Sequence, residues 1–393
     1  MKNLRIDLKL HQEVIKSSDY DPFKLSLILR KYTPEDRSYI VNQVNARQKA
    51  KIKIPEFYTQ EKVVYPSLLS VEQASSSSTA RYKAELVKDG TLIDMTGGLG
   101  VDSFFFSQSV SKVLYIEKDK DIAEIALYNF RVLNARNIEI INDDSLNYIK
   151  NISDKFNYIY LDPSRRFEDR RVFKLEDSVP NVMEIVPILL EKAEKIIIKV
   201  SPLIDITYIL HHFKHLFQVH IVAVNQECKE ILILLDDKKY TQDTDIVTWS
   251  KEVNRTHSFI SNMKENEEEC DYSAPLRYIY DPNVSLRKSG LFNAVGKRFH
   301  LKKLAPNSHL YTNNELNTLF PGRIFKILDV KQWKDLVKDK TIRKANIATR
   351  NFRLKVKEIR QKTGICEGGD TYIFCTTDLD NKKKILVTEK VNC

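Results

Sequence analysis

Chemistry is easiest to place in residues 93–102, Ile93-Asp94-Met95-Thr96-Gly97-Gly98-Leu99-Gly100-Val101-Asp102. The apolar Thr91-Leu92-Ile93 runs into a carboxylate, then a glycine-rich turn, then a largely apolar segment from Val101 to Val113. This order predicts a buried parallel strand, a tight loop and a helix, which is how α/β folds cradle nucleotide-type ligands. Glycines carry no Cβ, so the backbone can approach a ligand closely. The details of the loop narrow the ligand. Gly98 and Gly100 supply two glycines of a dinucleotide fingerprint, but Ser103 stands at the third position, and the Gly-Lys-Ser/Thr ending of a phosphate-binding loop is missing. Asp94 sits at the strand tip, where a pyrophosphate would lie in a nicotinamide enzyme. A carboxylate there repels phosphate and suits an ammonium or sulfonium charge. S-adenosylmethionine has both. The competing reading is a plain strand-to-helix turn.

Three more strand tips carry acids. Val113-Leu114-Tyr115-Ile116 ends in Glu117, which lies 23 residues after Asp94, near the spacing at which an acid meets ribose hydroxyls. Ile138-Glu139-Ile140-Ile141 ends in Asn142-Asp143-Asp144-Ser145, where a carboxylate could accept from an adenine amino group. Asn157-Tyr158-Ile159-Tyr160-Leu161 ends in Asp162-Pro163-Ser164-Arg165-Arg166. Any one of these acids is explained by helix capping or a solvated turn. Four at the carboxyl edge of one sheet point to a site.

These tips need a sheet to hold them. Asp121 to Leu133 has helical periodicity, with Ile122, Ile125, Ala126 and Phe130 on one face. Lys195 to Val200 is a fifth strand. His220 to Val224 and Glu230 to Leu235 follow, with only Asn225 to Lys229 between them. A parallel crossover needs a dozen or more residues, so these two must form an antiparallel hairpin. Five strand–helix units and a terminal hairpin resemble class I S-adenosylmethionine-dependent methyltransferases over about residues 86–237. The resemblance implies a Rossmann-like seven-stranded sheet. It implies that Asp94, Thr96, Gly98, Gly100, Glu117 and Asp144 bind the cofactor. One departure is Thr96, where the family often has glycine. Asp162-Pro163-Ser164-Arg165 stands where N-methyltransferases of this fold carry Asp/Asn-Pro-Pro-aromatic. Asp162 and Pro163 match and would accept hydrogen bonds from the target amine. Arg165 replaces the aromatic; its guanidinium plane can stack on a base or clamp a phosphate. Arg165, Arg166, Arg170 and Arg171 would form a basic rim, or else a surface cluster paired with Glu168 and Asp169. Carbon methylation of pyrimidines usually needs a cysteine nucleophile, and Cys228 in the hairpin turn is poorly placed for one, so N-methylation is favoured.

The chain has 393 residues, 42% of them hydrophobic, and a net charge of +10. No apolar run is long enough to span a bilayer, and the first residues contain no apolar signal segment. Five scattered cysteines give neither a metal-binding spacing nor a disulfide framework and fit a reducing cytoplasm. The charge is concentrated: residues 321–393 hold 18 Lys+Arg against 9 Asp+Glu, or +9. This is either a solvated basic surface or a footprint for nucleic acid. Residues 1–85 read as an N-terminal helical region, with Thr33 capping a helix that begins at Pro34 and residues 50–66 irregular. The segment Gln73 to Ala84, with Arg81 and Lys83, lies where groups near the cofactor carboxylate are often placed; helix capping explains it equally well.

Residues 238–320 and 321–393 read as two small α+β domains. Asp281-Pro282-Asn283 opens a helix, and Arg353 to Lys362 is a basic helix stopped by Gly364. Ala345-Asn346-Ile347-Ala348-Thr349-Arg350-Asn351-Phe352 and Glu367-Gly368-Gly369-Asp370-Thr371-Tyr372-Ile373-Phe374 resemble the THUMP-like domain of some bacterial methyltransferase-fold proteins. The segment before it resembles their ferredoxin-like domain. The resemblance implies a methyltransferase joined to a module that binds RNA, either tRNA or rRNA. Arg165, Arg166, Arg350, Arg353, Lys355, Lys357 and Arg360 are then the expected phosphate contacts. A small-molecule or protein methyltransferase is the first alternative, and a non-catalytic RNA-binding protein the second. A nicotinamide enzyme is disfavoured by Asp94 and Ser103. No metal and no membrane partner is expected.

Overall fold

The computed structural model describes residues 8–164, 166–167, 170–171, 175–176, 178–238 and 244–392. The chain divides into two compact units, residues 1–217 with 229–239, and residues 218–228 with 240–393.

The first unit begins with helices. Thr33 caps Pro34–Lys53 by accepting from the Asp36 N–H at 3.2 Å, as its place before Pro34 predicts. Val14, Leu25, Leu29, Ile40 and Val44 form the core of this region. The helix runs to Lys53 and another, Pro55–Tyr58, follows, so residues 50–66 are more helical than the sequence reading expects. Val64 and Tyr65 do lie outside helix and sheet. Their backbone groups are met by two buried amides: Asn129 accepts from Val64 N–H at 3.0 Å and donates to its carbonyl at 2.7 Å, and Gln43 serves Tyr65 in the same way. A buried backbone needs such partners.

The strands of this unit are β1 (Thr91–Asp94), β2 (Lys112–Ile116), β3 (Ile138–Ile141), β4 (Phe156–Leu161), the two-residue β5 (Arg166–Phe167) and β6 (Arg170–Arg171), and β7 (Ala193–Val200). β8 (Leu216–Val224) and β9 (Glu227–Asp236) follow. The main sheet of the unit has the order β9-β7-β4-β1-β2-β3. All its pairs are parallel except β7 with β9. Strands covered on both faces read as continuous apolar runs, which is why the sequence reveals them. From β1 the order steps to β2 on one side and to β4 on the other. Ligands of open α/β sheets bind at such a reversal, beyond the carboxyl ends of the strands.

β8 belongs mostly to the second unit, where it pairs in parallel with β10 (Asp245–Lys251); β10 pairs antiparallel with β11 (Thr256–Ser261). β8 leads into β9 through Asn225 and Gln226, both at positive φ, 50° and 64°. That is the two-residue turn that reverses a twisted strand. It is shorter than the five-residue connection read from the sequence because β9 begins at Glu227, three residues before the Glu230 read as its start.

The rest of the second unit is a mixed sheet of β12 (Tyr278–Pro282), β13 (Lys302–Lys303), β14 (Tyr311–Asn313), β15 (Gly322–Lys331), β16 (Asn346–Thr349), β17 (Thr371–Thr377) and β18 (Lys383–Lys390). Its order is β13-β14-β12-β15-β18-β17-β16. Asp281 and Pro282 finish β12 rather than opening a helix; Asn283 caps the helix Val284–Ser289. The basic helix is Val356–Thr363, and Gly364 at φ 77° stops it. No described helix is long and apolar enough to cross a membrane.

Candidate active site

Asp94 ends β1 and is buried. Its Oδ1 accepts from the Thr96 N–H at 3.0 Å, and its Oδ2 accepts from Ser103 Oγ at 2.5 Å. Both carboxylate oxygens therefore hold the glycine loop. Burial pushes its pKa up to about 7, against the pull of Ser103 and Thr96 in the other direction. Thr96 replaces the usual glycine with a linking role. Its hydroxyl accepts from the Asp162 N–H at 2.8 Å, and so ties the tip of β1 to the tip of β4.

Each loop glycine has a separate reason. A Cβ on Gly97 would fall 2.3 Å from the Tyr115 ring, and one on Gly100 would fall 2.5 Å from the Phe130 ring. Gly98 is different: its φ is 54°, and no atom lies nearer to a built Cβ than 3.9 Å. Gly98 thus turns an open backbone face outward. Tyr115 donates to its carbonyl at 2.6 Å, and its N–H donates to Glu117 Oε2 at 3.0 Å. Glu117 Oε1 accepts from the Asp119 N–H at 2.9 Å. A carboxylate has about four acceptor positions, so two such bonds fix its orientation and leave capacity for hydroxyl donors. Asp144 caps the helix Ser145–Asn151, its Oδ1 accepting from Leu146 and Asn147 N–H at 3.0 and 3.2 Å. Its Oδ2 carries no hydrogen bond among the described residues.

Asp162 is half-buried at the end of β4, and Pro163 is buried. Lys199, near the end of β7, donates to Asp162 Oδ2 at 2.5 Å. Lys199 belongs to a buried network. Lys83 is fully buried; it pairs with Glu230 at 2.8 Å and Asp102 at 3.2 Å, and donates to Ser75 Oγ at 2.9 Å. Ser75 and Tyr160 both donate to Asp102 Oδ2 at 2.8 Å. Lys199 also reaches Ser75 at 3.4 Å. Burial raises the pKa of Asp102, but Lys83 and Lys199 outweigh it and hold the carboxyl below its usual range. Burial lowers the pKa of Lys199, but Asp162, Asp102 and Glu230 outweigh it and raise the ammonium above its usual range. Three carboxylates face two ammonium groups, a surplus of one negative charge. Asp162 is the most exposed of them, its side chain 28% accessible against 11% for Asp102 and 3% for Glu230.

Sequence reasoning missed Lys199, Asp102, Tyr160 and Glu230. The available signal was a lysine at the end of the apolar run Lys195-Ile196-Ile197-Ile198-Lys199, since a lysine buried there needs an acid. The sequence reading offers Lys83 and Arg81 for the cofactor carboxylate. The structure commits Lys83 to the buried network and Arg81 to Glu56 at 2.6 Å, while Ser76 caps the helix Ser77–Ala84.

Among the expected phosphate contacts, Arg165 lies outside the described residues, and Arg166 is described only as part of β5. Arg353, Lys355 and Lys357 are exposed. Arg360 is turned inward, donating to the carbonyls of Ile365 and Ala345 at 3.0 and 3.2 Å. Arg350 pairs with the buried Asp281 at 2.9 Å. No group of His, Cys, Asp and Glu suited to a metal ion occurs among the described residues.

Comparison with known proteins agrees with this architecture. Residues 278–321 match the model of a ferredoxin-like domain, and residues 322–390 that of a THUMP-like domain. A crystal structure from Porphyromonas gingivalis W83, described as that of a candidate methyltransferase, is similar over nearly the whole length. It is 29% identical, covers 98% of this chain and 98% of its own, and has a TM-score of 0.89. The chain is a methyltransferase-fold protein with ferredoxin-like and THUMP-like domains at its C-terminal end. The ferredoxin-like match begins at β12, so β10 and β11 lie before it. A Streptococcus thermophilus rRNA methylase covers only 42% of this chain, at 16% identity and a TM-score of 0.31. A Streptococcus mutans protein described as a candidate methyltransferase in complex with SAH covers 40%, also at 16% identity and a TM-score of 0.31. No curated protein matches the sequence at a significant level.

Proposed function

We propose that the first unit binds S-adenosylmethionine along the carboxyl edge of β1, β2 and β3, and that the protein N-methylates a base in structured RNA, tRNA or rRNA. The observation that carries this reading is the reversal point of the sheet, where Thr96 joins the tips of β1 and β4 and Glu117 holds the open Gly98 backbone. The donor set fits the cofactor. Glu117 keeps acceptor capacity for ribose hydroxyls, Asp144 Oδ2 faces no competing donor among the described residues, and the surplus negative charge beneath Asp162 suits a sulfonium. When bound, S-adenosylmethionine supplies the electrophilic methyl group.

The residues of this chain do the positioning. Asp162 is held by Lys199 through Oδ2; its Oδ1 carries no hydrogen bond among the described residues and would accept from the target amine and align it. Pro163 follows it with a carbonyl and no N–H, as the Asp-Pro pair of related N-methyltransferases requires. Asp94 is buried and both its oxygens are bonded to the loop, so its contribution to cofactor binding is to shape the loop. The RNA part of the reading rests on the THUMP-like domain and the basic charge of the last residues.

Calorimetry with S-adenosylhomocysteine tests the cofactor half. The wild-type chain should bind, and Glu117→Ala should weaken binding by about tenfold, the effect of losing two hydroxyl acceptors partly replaced by water. Absence of binding to the folded protein would overturn the cofactor assignment. Mass spectrometry of modified nucleosides from cells lacking the gene tests the RNA half: a single lost methylated nucleoside is expected, and an unchanged profile argues for a small-molecule or protein target.

A further inference from the structure

In the second unit one carboxylate carries three arginines. Asp281, in β12, has no exposed surface. Arg323 from β15 donates to its Oδ2 at 2.6 Å. Arg350, just after β16, donates to its Oδ1 through Nε at 3.2 Å and Nη2 at 2.9 Å. Arg287, from the helix Val284–Ser289, approaches Oδ1 at 3.4 Å and donates to the Pro282 carbonyl at 2.7 Å. Asp281 and Arg287 come from the ferredoxin-like segment, Arg323 and Arg350 from the THUMP-like one.

A single bidentate guanidinium would satisfy a buried carboxylate. Three leave a surplus of two positive charges, which repel one another at close range. Burial holds the pKa of Arg287 below its usual range, and Arg350 and Arg323 lower it further against the pull of Asp281. The cost is not hidden in the core. The side chains of Arg287, Arg323 and Arg350 remain 28%, 33% and 20% exposed, while guanidinium nitrogens of all three are held at Asp281 and Arg350 Nη1 also donates to the Thr349 carbonyl at 3.0 Å. Among the described residues, Arg323 makes a hydrogen bond only through Nη2, leaving Nε and Nη1 free to donate. Arg323 also lines a depression with Arg255, His257, Lys390 and Glu252, a wall with one acid among basic and neutral groups. Nearby His309 is held at a positive φ of 53° and stacks on Phe292 at 3.7 Å. A non-glycine residue held in this region marks a place where the fold over-determines the backbone.

We infer that Arg287, Arg323 and Arg350 form a preorganised site for a phosphate of the RNA backbone. Asp281 acts as the pin that fixes three guanidinium planes, and the phosphate supplies the charge the cluster lacks. Arginine suits this role because its planar fork matches phosphate oxygens in pairs and its side chain loses little further freedom once held. The inference rests on the RNA reading above and names where the phosphate is gripped. It moves the expected grip from the helix Val356–Thr363 to the junction of the two small domains.

Fluorescence anisotropy of the full chain with labelled bulk tRNA tests it, alongside calorimetry with S-adenosylhomocysteine. Arg323→Gln should weaken tRNA binding about tenfold or more and lower the slope of log affinity against log salt by roughly 0.7–0.9, with cofactor affinity unchanged. Arg287→Gln, on a different element, should do the same, and so guards against a folding defect in either variant. Trp249 and Trp333 both lie in this unit, so their emission reports its fold. Wild-type affinity and slope in both folded variants would overturn the site and leave the RNA reading standing. Failure of the wild-type chain to bind either tRNA or labelled rRNA in the same assay, while it binds the cofactor product, would overturn the RNA reading and the site with it. Thermal stabilisation of the wild type by inorganic phosphate, lost in Arg323→Gln and without tRNA binding, would assign the site to free phosphate and overturn the RNA source.

Discussion

Replacing Lys199 by Met should loosen the centre of the first unit far more than replacing its partner Asp162 by Asn. Lys199 sits 2.5 Å from Asp162 and also reaches Ser75 at 3.4 Å. Lys83 is the other cation of the network, 3.2 Å from Asp102 and 2.8 Å from Glu230. Methionine conserves most of the volume but leaves three carboxylates facing Lys83 alone. Removing one partner of a buried ion pair costs about 3–5 kcal/mol. Asp162 is 28% exposed and water can reach it, so the lower end, about 3 kcal/mol, is expected. Asn at position 162 removes one carboxylate and balances two against two. Lys199 keeps Ser75 and the field of Asp102, so the cost should stay within about 1 kcal/mol.

The assay must see the right region. Both tryptophans lie in the second unit, so tryptophan emission would miss the change. Amide hydrogen exchange of peptides from β4 and β7 reads it directly. At about 1.4 kcal/mol per tenfold, Lys199→Met should speed exchange there roughly a hundredfold. Asp162→Asn should change it by less than about fivefold. The double variant should recover part of the loss, because removing the carboxylate relieves the charge that methionine leaves behind. Exchange near the wild-type rate in Lys199→Met, or equal destabilisation by Asp162→Asn, would refute the reasoning that the network is held by its cations.

Three further outcomes are expected. Asp94 has its native pKa pushed to about 7 from 3.8, so the native state holds its proton more tightly than the unfolded chain. The stability this contributes is complete below about pH 4 and is lost as pH rises through 7. Asp94→Asn should abolish a loss on the order of 4 kcal/mol between those limits, seen as a flatter pH dependence of urea unfolding followed by circular dichroism. Gly98→Ala should cost about 1 kcal/mol of stability for the left-handed backbone and also weaken S-adenosylhomocysteine binding. Gly100→Ala should cost more stability because its Cβ meets Phe130. In the last domain, Arg360→Ala should lower the urea midpoint read by Trp333 by the equivalent of about 1–3 kcal/mol, since two carbonyls lose a donor; Lys355→Ala, at an exposed position, should change it by less than about 0.5 kcal/mol.

The sheet was legible because its strands are covered on both faces and their apolar runs end at acids. The same is true of local signals: Thr33 before Pro34 caps a helix, and Gly364 stops one. Pairings across long sequence distances were not legible. Lys83 and Glu230 are 147 residues apart and meet only once the sheet is built. Ser103 shows a subtler loss. Read against a glycine fingerprint it is a defect, whereas in the fold its hydroxyl is the donor that lets Asp94 be buried. Charge alone does not show which cations are held. Arg350, Arg353, Lys355, Lys357 and Arg360 read alike in the sequence, but a guanidinium is also the side chain best able to fasten carbonyls and buried carboxylates. Arg360 does the first and Arg350 the second.

The two units divide the electrostatics in a way that fits one reading. Asp94, Glu117, Asp144 and Asp162 all stand at the carboxyl edge of the first sheet, and the network below them carries a surplus negative charge. Such an edge is suited to a sulfonium and to the amine of a base; it repels a phosphate chain. An enzyme acting on RNA with this edge must therefore hold the polyanion somewhere else. The last residues carry +9 of the chain's +10, and Asp281 holds two of their arginines, Arg323 and Arg350, in place together with Arg287 from the preceding segment. Specificity for the reacting base and affinity for the backbone are then set by separate groups of opposite sign. Strengthening either one does not require weakening the other, and a fold whose reacting edge is rich in acids has a physical reason to carry a basic module on the same chain.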